Sequence, residues 1–260
     1  MNIQKTVLSL AAISLLGACG GSNDSDMSQP PPPPQQTVSG HIENPDADNI
    51  LPIHVTAPAA FSRITYKGHG VSLDKAHAIV DMMQNPTPRC CQSIHDDYFT
   101  TAMGDGIAAV RAYSGFRHVR FGNISTYDAS QHTLSDTVGF YQGIPTASAL
   151  QEGGAAVYHG VGYQFGKDAE GRSIADYRGS VEATVDFATR IVDIHLRNVS
   201  VPVDIRARMT GHSSFAAQQG RLSVHGGLFG LDAEEIGGII RQDGNGEWTA
   251  TFAGSSRKAP

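Results

Sequence analysis

The stretch Tyr177–Val199, YRGSVEATVDFATRIVDIHLRNV, decides the fold because apolar and polar residues alternate along both of its halves. The apolar members share one face of each half: Val181, Ala183, Val185 and Phe187 in the first, and Val192, Ile194 and Leu196 in the second. The positions between them, such as Glu182 and His195, are polar. A strict period of two with one polar face predicts two strands of an antiparallel sheet.

The same alternation continues through most of the C-terminal region. Strand-like segments are AAVYHGVGYQF (155–165), VPVDIRARM (201–209), GRLSVHGGLFG (220–230), IGGIIRQD (236–243) and EWTATFAGS (247–255). The sequence DGNG between the last two is a strong hairpin turn signal. About eight strands in such a meander predict an eight-stranded antiparallel up-and-down β-barrel over residues 151–257.

Two further predictions concern the segment between the last strand pairs. One helical turn is predicted at Ala233–Glu235, within the sequence LDAEE. The glycine pairs 226–227 and 237–238 flank this segment, and glycine tolerates the dihedral angles of sharp bends and bulges. We therefore expect the chain to bend sharply at the LDAEE turn between the two pairs, with the glycines supplying the dihedral angles or bulges that it needs.

Residues 38–150 predict a separate β-rich N-terminal domain with one short helix. Short strand-like segments are punctuated by Gly and Asn. The helix is predicted over VSLDKAHAIVDMMQN (71–85), because Ser72 is a good N-cap and apolar residues follow at helical spacing. The overall fold class is therefore mainly β.

The N-terminus resembles that of a bacterial lipoprotein. Lys5 precedes an apolar run, Val7–Leu16, that is too short to span a bilayer, and residues 1–18 form a predicted signal peptide. The sequence Leu-Gly-Ala-Cys then resembles a lipobox, which implies lipidation of Cys19; an ordinary secretory signal is the alternative. Residues 19–37 contain five consecutive prolines and predict a semi-rigid tether.

Cys90 and Cys91 are the two other cysteines of the chain. An exported location permits a disulfide, but adjacent cysteines close on each other only through a strained ring. A vicinal disulfide, two free thiols, a thiol–metal contact and a bond to another chain remain as alternatives.

Composition and motifs favour a binding protein over an enzyme. The net charge of −6 argues against a nucleic-acid partner, which would require a basic face. The sequence contains no Gly-x-Ser-x-Gly or His-Glu-x-x-His motif, and no pair of histidines in the first region has the spacing of a local metal site. No metal site and no catalytic residue are therefore predicted.

Histidines of the first region are candidate haem ligands, because haem needs only one or two axial ligands and an apolar slot. His69 lies between glycines, and His132 lies on a predicted loop. His118 lies between Phe116 and Phe121, with Arg117 and Arg120 available for the haem propionates.

Four segments resemble the barrel of the transferrin-binding protein B family of surface lipoproteins. They are EGGAAVYHGVGYQF (152–165), YRGSVEATVDFATRIVDIHL (177–196), GGLFGLDAEEIGG (226–238) and TATFAGSSR (249–257). In the third, the family pattern is matched by Phe229, Gly230, Ala233, Glu235, Gly237 and Gly238. One N-terminal region and one barrel resemble the single-lobe members: the haemoglobin-haptoglobin utilisation lipoprotein, hemophilin and factor H binding protein.

The resemblance implies a function at the bacterial surface. We expect an outer-membrane lipoprotein that binds haem, or a host protein carrying haem or iron, and passes it to an outer-membrane transporter. The alternatives are a lipoprotein that binds a host serum regulator such as factor H, and a structural envelope protein without a soluble ligand.

Overall fold

The computed structural model describes residues 34–44, 49–74, 93–94, 98–102, 107–113, 115–128, 133–147, 153–244 and 246–256. Within these ranges the regular structure is β-strand, apart from one 3-10 turn at Ala60–Ser62. Val71 and Ser72, the first residues of the predicted helix, end a strand, and the predicted helix from Lys75 onward lies outside the described residues. Among the described residues we find no helix that is long and apolar enough to cross a membrane.

The N-terminal region forms a seven-stranded antiparallel sheet in the order β2-β1-β9-β8-β7-β6-β5. These strands are β1 (Gln35–Glu43), β2 (Ile50–Pro58), β5 (Ser93–Ile94), β6 (Tyr98–Ala102), β7 (Ile107–Tyr113), β8 (Val119–Asp128) and β9 (Thr133–Gly143). A separate hairpin consists of β3 (Arg63–Tyr66) and β4 (His69–Ser72). β1 begins at Gln35, so its first three residues fall within the segment predicted as tether.

The C-terminal region is a closed antiparallel barrel in which each strand pairs with the next and β17 pairs with β10, which confirms the predicted fold. The strands are β10 (Ala155–Lys167), β11 (Ser173–Asp186), β12 (Ile191–Arg197), β13 (Val203–Met209), β14 (Ser214–Gln219), β15 (Leu222–Phe229), β16 (Glu235–Gln242) and β17 (Trp248–Ser256). β14 has no counterpart among the predicted segments, because Phe215 is its only large apolar residue.

The barrel interior is filled by the alternating apolar residues that predicted the strands. Val181, Ala183 and Val185 of β11 are buried, and so are their counterparts on β12. Burying a side chain of this size contributes about 1.5–3 kcal/mol relative to leaving it exposed. The barrel is therefore a packed body rather than an open channel.

The chain turns sharply at LDAEE, between β15 and β16, but the flanking glycine pairs do not supply the backbone angles of that turn, since none of the four has a positive φ. Gly226 and Gly227 lie within β15 and pair directly with Gly238 and Gly237 of β16. A Cβ on Gly226 would overlap the Phe215 ring, and a Cβ on Gly238 would lie 2.7 Å from Phe252. These glycines therefore provide space for aromatic rings rather than for bends.

The predicted helical turn at Ala233–Glu235 is also absent. Ala233 has a left-handed backbone conformation with φ of 54°, and Glu235 already begins β16. The carbonyl of Ala233 accepts a hydrogen bond of 2.8 Å from the buried Tyr158 hydroxyl. The chain thus crosses from β15 to β16 through an irregular turn that is attached to β10.

The sheet and the barrel pack directly against each other within one compact unit, residues 34–260. Their contact is an apolar cluster contributed by both: Val119, Phe121 and Tyr141 from the sheet, and Tyr163, Phe229, Ile239 and Ala253 from the barrel. Small residues allow the close approach, since a Cβ on Gly237 would lie 2.7 Å from Val119. This contact therefore covers one face of the sheet and part of the barrel wall.

Candidate functional site

Two irregular segments meet where the sheet joins the barrel, and together we call them the His118 surface: residues 115–118, before β8, and residues 230–234, between β15 and β16. The Gly230 amide donates to the Ile144 carbonyl (3.0 Å), and the Ile144 amide donates to the His118 carbonyl (2.9 Å). A Cβ on Gly230 would lie 2.8 Å from Cδ2 of His118. The two segments therefore form one continuous surface.

Glu235 fixes the backbone of the first segment. Its carboxylate accepts hydrogen bonds from the amides of Arg117 (2.7 Å), His118 (2.8 Å) and Val119 (3.1 Å). Only 5% of Glu235 is exposed, so water does not replace these bonds. Glu235, a side chain of the barrel, thereby fixes the backbone position of His118.

The His118 surface presents an apolar side chain, Leu231, a cationic one, Arg117, and the carboxylates of Asp232, which is exposed, and Glu234, which is half-buried. Leu231 is 75% exposed, the highest value among the large hydrophobic residues for which the structure describes exposure. Arg117 is exposed, whereas Phe116 and His118 are half-buried. An exposed leucine beside an arginine and an aromatic ring has the composition of a protein contact site.

Two residues predicted to flank a haem at His118 are committed to other contacts. Phe121 is fully buried, and its ring centroid lies 5.3 Å from that of Tyr163. The Arg120 guanidinium donates to the carbonyls of Phe116 and Val119 and lies 4.2 Å from the Phe61 ring centroid. Burial lowers the pKa of Arg120. Of the groups predicted around His118, Phe116 and Arg117 face the surface.

The structure does not bring His69 to His118. His69 pairs with Tyr66 in the β3–β4 hairpin, and the neighbouring Lys67 contacts Asp136 of β9 (3.6 Å). Asp136 is adjacent to Ser135, which pairs with Thr126 of β8. Thr126 lies seven residues beyond Val119. At about 3.3 Å per residue, Val119 and Thr126 are roughly 23 Å apart along β8, so the turn of the hairpin that carries Lys67 contacts the end of β8 opposite to His118. His132, Cys19, Cys90 and Cys91 lie outside the described residues.

A second buried carboxyl group, Glu43 of β1, makes the converse connection from the sheet to the barrel. It accepts a hydrogen bond from the Gly139 amide (2.5 Å) and another from the Thr249 hydroxyl of β17. Burial raises the pKa of Glu43. Sequence reasoning missed this role, because one glutamate at the end of a strand carries no distinguishing signal.

A pair of histidines joins the same two bodies. The rings of His41 on β1 and His225 on β15 are 5.0 Å apart, and Nδ1 of His41 lies 2.7 Å from the Tyr141 hydroxyl. Burial, and secondarily the charge of His225, lowers the pKa of His41 to about 4. Both imidazoles are therefore neutral at pH 7. The pair contributes to the packing between the sheet and the barrel.

The described residues contain no group of three His, Cys, Asp or Glu side chains already gathered around a point where a metal ion could sit. The buried polar groups above bond to one another or to the backbone. The arrangement is suited to holding the surface rigid.

Residues 144–256 match the family model described as the C-lobe and N-lobe beta barrels of Tf-binding protein B. The resemblance found from the motifs is thus confirmed for the barrel region. No curated protein matches the chain.

Solved structures give the same fold at low sequence identity. The isotype 1 transferrin-binding protein B of serogroup B Neisseria meningitidis matches with a TM-score of 0.63 and 15% identity, covering 85% of this chain and 44% of that one. A mutant of the Haemophilus parasuis Hp5 protein matches with a TM-score of 0.62 and 17% identity, covering 86% and 45%. The chain thus spans less than half the length of these proteins.

A third solved structure matches over nearly the whole of both chains. It is HpuA from Kingella denitrificans in complex with human haemoglobin, with a TM-score of 0.53, 15% identity, and coverage of 89% of this chain and 90% of that one. At this identity the likeness concerns the fold.

Proposed function

We propose that this chain, whose barrel matches the transferrin-binding protein B barrel family, is a lipid-anchored outer-membrane protein that binds haem or a haem- or iron-carrying host protein. Cys19 carries the lipid, residues 19–34 are the tether, and an outer-membrane transporter receives the cargo. The protein acts by binding rather than by catalysis.

The observation that carries this proposal is the family match of residues 144–256, combined with the lipobox-like sequence at Cys19. The full-length fold match to HpuA, which was solved with human haemoglobin, adds support for a haemoprotein as the host partner. Within the part of the chain that the structure describes, one seven-stranded sheet and one barrel argue for one binding unit.

The His118 surface is the proposed contact region. It combines the highly exposed Leu231 with Arg117 and a half-buried imidazole. Glu235 holds the segment in one conformation before binding, which lowers the entropic cost of association. His69 and His132 are the other haem-ligand candidates, each on its own part of the chain.

The direct test is capture of haemoglobin or transferrin by the full chain in detergent, followed by a titration with haemin that is monitored by visible absorption. We expect capture of one of these proteins or a Soret shift. Leu231→Glu should weaken capture at least tenfold, and Val157→Glu, at an exposed position 42% accessible on the barrel, is the matched control.

His118→Ala separates haem ligation from protein contact. If His118 ligates haem, this variant loses the Soret shift, while His212→Ala, at an exposed turn, keeps it. The absence of a Soret shift together with failure to capture haemoglobin or transferrin would overturn the proposal. Capture of a serum regulator in that case would favour the factor H-type alternative.

A further inference from the structure

We propose that a cavity between the sheet and the barrel, at the end opposite to the His118 surface, binds a neutral sugar as one monosaccharide ring. The cavity has a volume of about 260 Å³, and its lining includes Glu43, Asp136, Arg241, Gln242, Glu247 and Trp248. Sites for drug-sized ligands have volumes of roughly 300–1,000 Å³. This smaller cavity therefore suits a ligand of about one ring.

The cavity lies apart from the His118 surface. Arg241 and Glu235 both belong to β16, and Arg241 lies six residues beyond Glu235, which is about 20 Å at the repeat of a strand. On the sheet, Asp136 lies beside the end of β8 that is opposite to Val119. Occupation of the cavity is therefore independent of the binding of haem or a host protein at the His118 surface.

A buried carboxyl group belongs to the lining of the cavity. Glu43 is 8% exposed, and its two oxygens accept hydrogen bonds from the Gly139 amide (2.5 Å) and the Thr249 hydroxyl. A carboxyl oxygen has two lone pairs, so a sugar hydroxyl can donate to Glu43 while both existing bonds remain. Burial raises the pKa of Glu43, and groups with such shifts are concentrated at ligand sites.

The charges around the cavity favour a neutral ligand over an ion. Asp136 and Glu247 are exposed and add two carboxylates to the Glu43 carboxyl group, so a bound anion would be repelled. A bound cation would meet the guanidinium of Arg241, whose Nε lies 2.7 Å from Oδ1 of Asp243. A neutral polyol carries neither penalty, and its hydroxyls donate to carboxylates.

Aromatic rings and an amide complete a lining that is suited to a sugar. Phe165 and Trp248 contribute apolar surface against which the C–H face of a sugar ring packs. Nε2 of Gln242 donates to the carbonyl of Asp243 (3.2 Å), and the same amide has a second N–H that can donate to a sugar hydroxyl. Donors, acceptors and apolar surface are thus combined within one small cavity.

The fluorescence of Trp248 provides the test, because Trp248 is the only tryptophan of the chain. The full chain, in a detergent without a sugar head group, is titrated with glucose, galactose, mannose and N-acetylglucosamine and with their methyl glycosides. We expect a saturable change with a millimolar dissociation constant for at least one of them. N-acetylneuraminic acid, which is anionic, and glycerol, which has no ring, should give none. Binding of a methyl glycoside would show that a sugar attached in a glycan can enter.

Glu247→Ala tests whether the signal comes from sugar in the cavity. Glu247 is exposed, so the variant should fold, and loss of this acceptor should weaken binding at least fivefold. Glu182→Ala, at a position 55% exposed on the barrel wall, is the matched control and should bind as the wild type does. Absence of a saturable change with every neutral sugar, or equal affinity of Glu247→Ala and the wild type, would overturn the proposal.

Discussion

Glu235 and Glu43 are single residues that connect the two bodies of the molecule in opposite directions. Glu235 extends from the barrel to three backbone amides of the segment before β8. Glu43 extends from the sheet to the Thr249 hydroxyl of the barrel. Each is less than 10% exposed, so neither connection can be replaced by water.

Replacing Glu235 by alanine leaves three amides without this acceptor, those of Arg117 and His118 in part-buried positions and that of Val119 in a buried one. We expect Glu235→Ala to lower the free energy of unfolding by about 3 kcal/mol, measured by urea denaturation. Glu235→Gln retains one acceptor oxygen and should lose about half as much. Equal stability of the alanine variant and the wild type would show that the hydrogen bonds contribute nothing net.

At the scale of the element, β15 and β16 depend on glycines that face both sides of the barrel wall. Gly226 and Gly238 provide space for Phe215 and Phe252 in the interior, whereas Gly237 admits Val119 of the sheet. None of these glycines has a positive φ, so their function is steric rather than conformational. A strand glycine normally weakens a sheet, and here the packed rings compensate for that cost.

The pair Gly226 and Phe215 supplies a reciprocal test of this steric role. Gly226→Ala should destabilise the barrel by about 1–3 kcal/mol, because the new methyl group overlaps the Phe215 ring. Phe215→Leu removes the overlapping ring atoms. The double variant should therefore lose less free energy of unfolding than the sum of the losses in the two single variants. We expect a difference above about 0.5 kcal/mol, measured by urea denaturation. Simple additivity would contradict the steric explanation.

At the scale of the whole molecule, the junction between sheet and barrel is sensitive to acid through His41. Its folded pKa of about 4 lies below its ordinary value of 6.5. The folded state therefore binds fewer protons than the unfolded state between these values, and stability falls as the pH drops from about 6.5 towards 4. The groups facing His41 are His225 and the Tyr141 hydroxyl.

Comparison of the wild type with His41→Gln isolates this contribution. Between pH 7.5 and 4.5 the free energy of unfolding should fall by about 1–2 kcal/mol more for the wild type than for the variant, after allowance for partial solvent screening. Urea midpoints at the two pH values measure the difference. His212→Gln, at an exposed turn, serves as the control and should follow the wild type. Parallel curves for the wild type and His41→Gln would disprove the linkage.

The anchoring of the whole molecule depends on Cys19. Cys19→Ser removes the thiol that receives the lipid, so labelled palmitate should no longer be incorporated and the protein should leave the membrane fraction. Cys90→Ser is the matched control and should retain the label. Incorporation of palmitate into the serine variant would contradict lipidation at Cys19.

The barrel was predictable from sequence because a strand that is buried on one face must alternate with a period of two. Val181 to Val185 and Val192 to Leu196 show this pattern, and all of their apolar members are buried. The match of residues 144–256 to a barrel family confirms the motif-based resemblance. β14 escaped prediction since SFAAQQ contains one large apolar residue, and its pairing with β13 and β15 is a tertiary property.

The sequence by itself determined the mainly β fold and the closed barrel, because local alternation records which face of a strand is buried. Tertiary structure alone decided which barrel strands have an exposed outer face and which have an outer face covered by the sheet. The contacts of Glu43 with Thr249 and of Glu235 with residues 117–119 join positions more than a hundred residues apart. No local pattern encodes such pairs, since they arise only when two separately formed surfaces pack together.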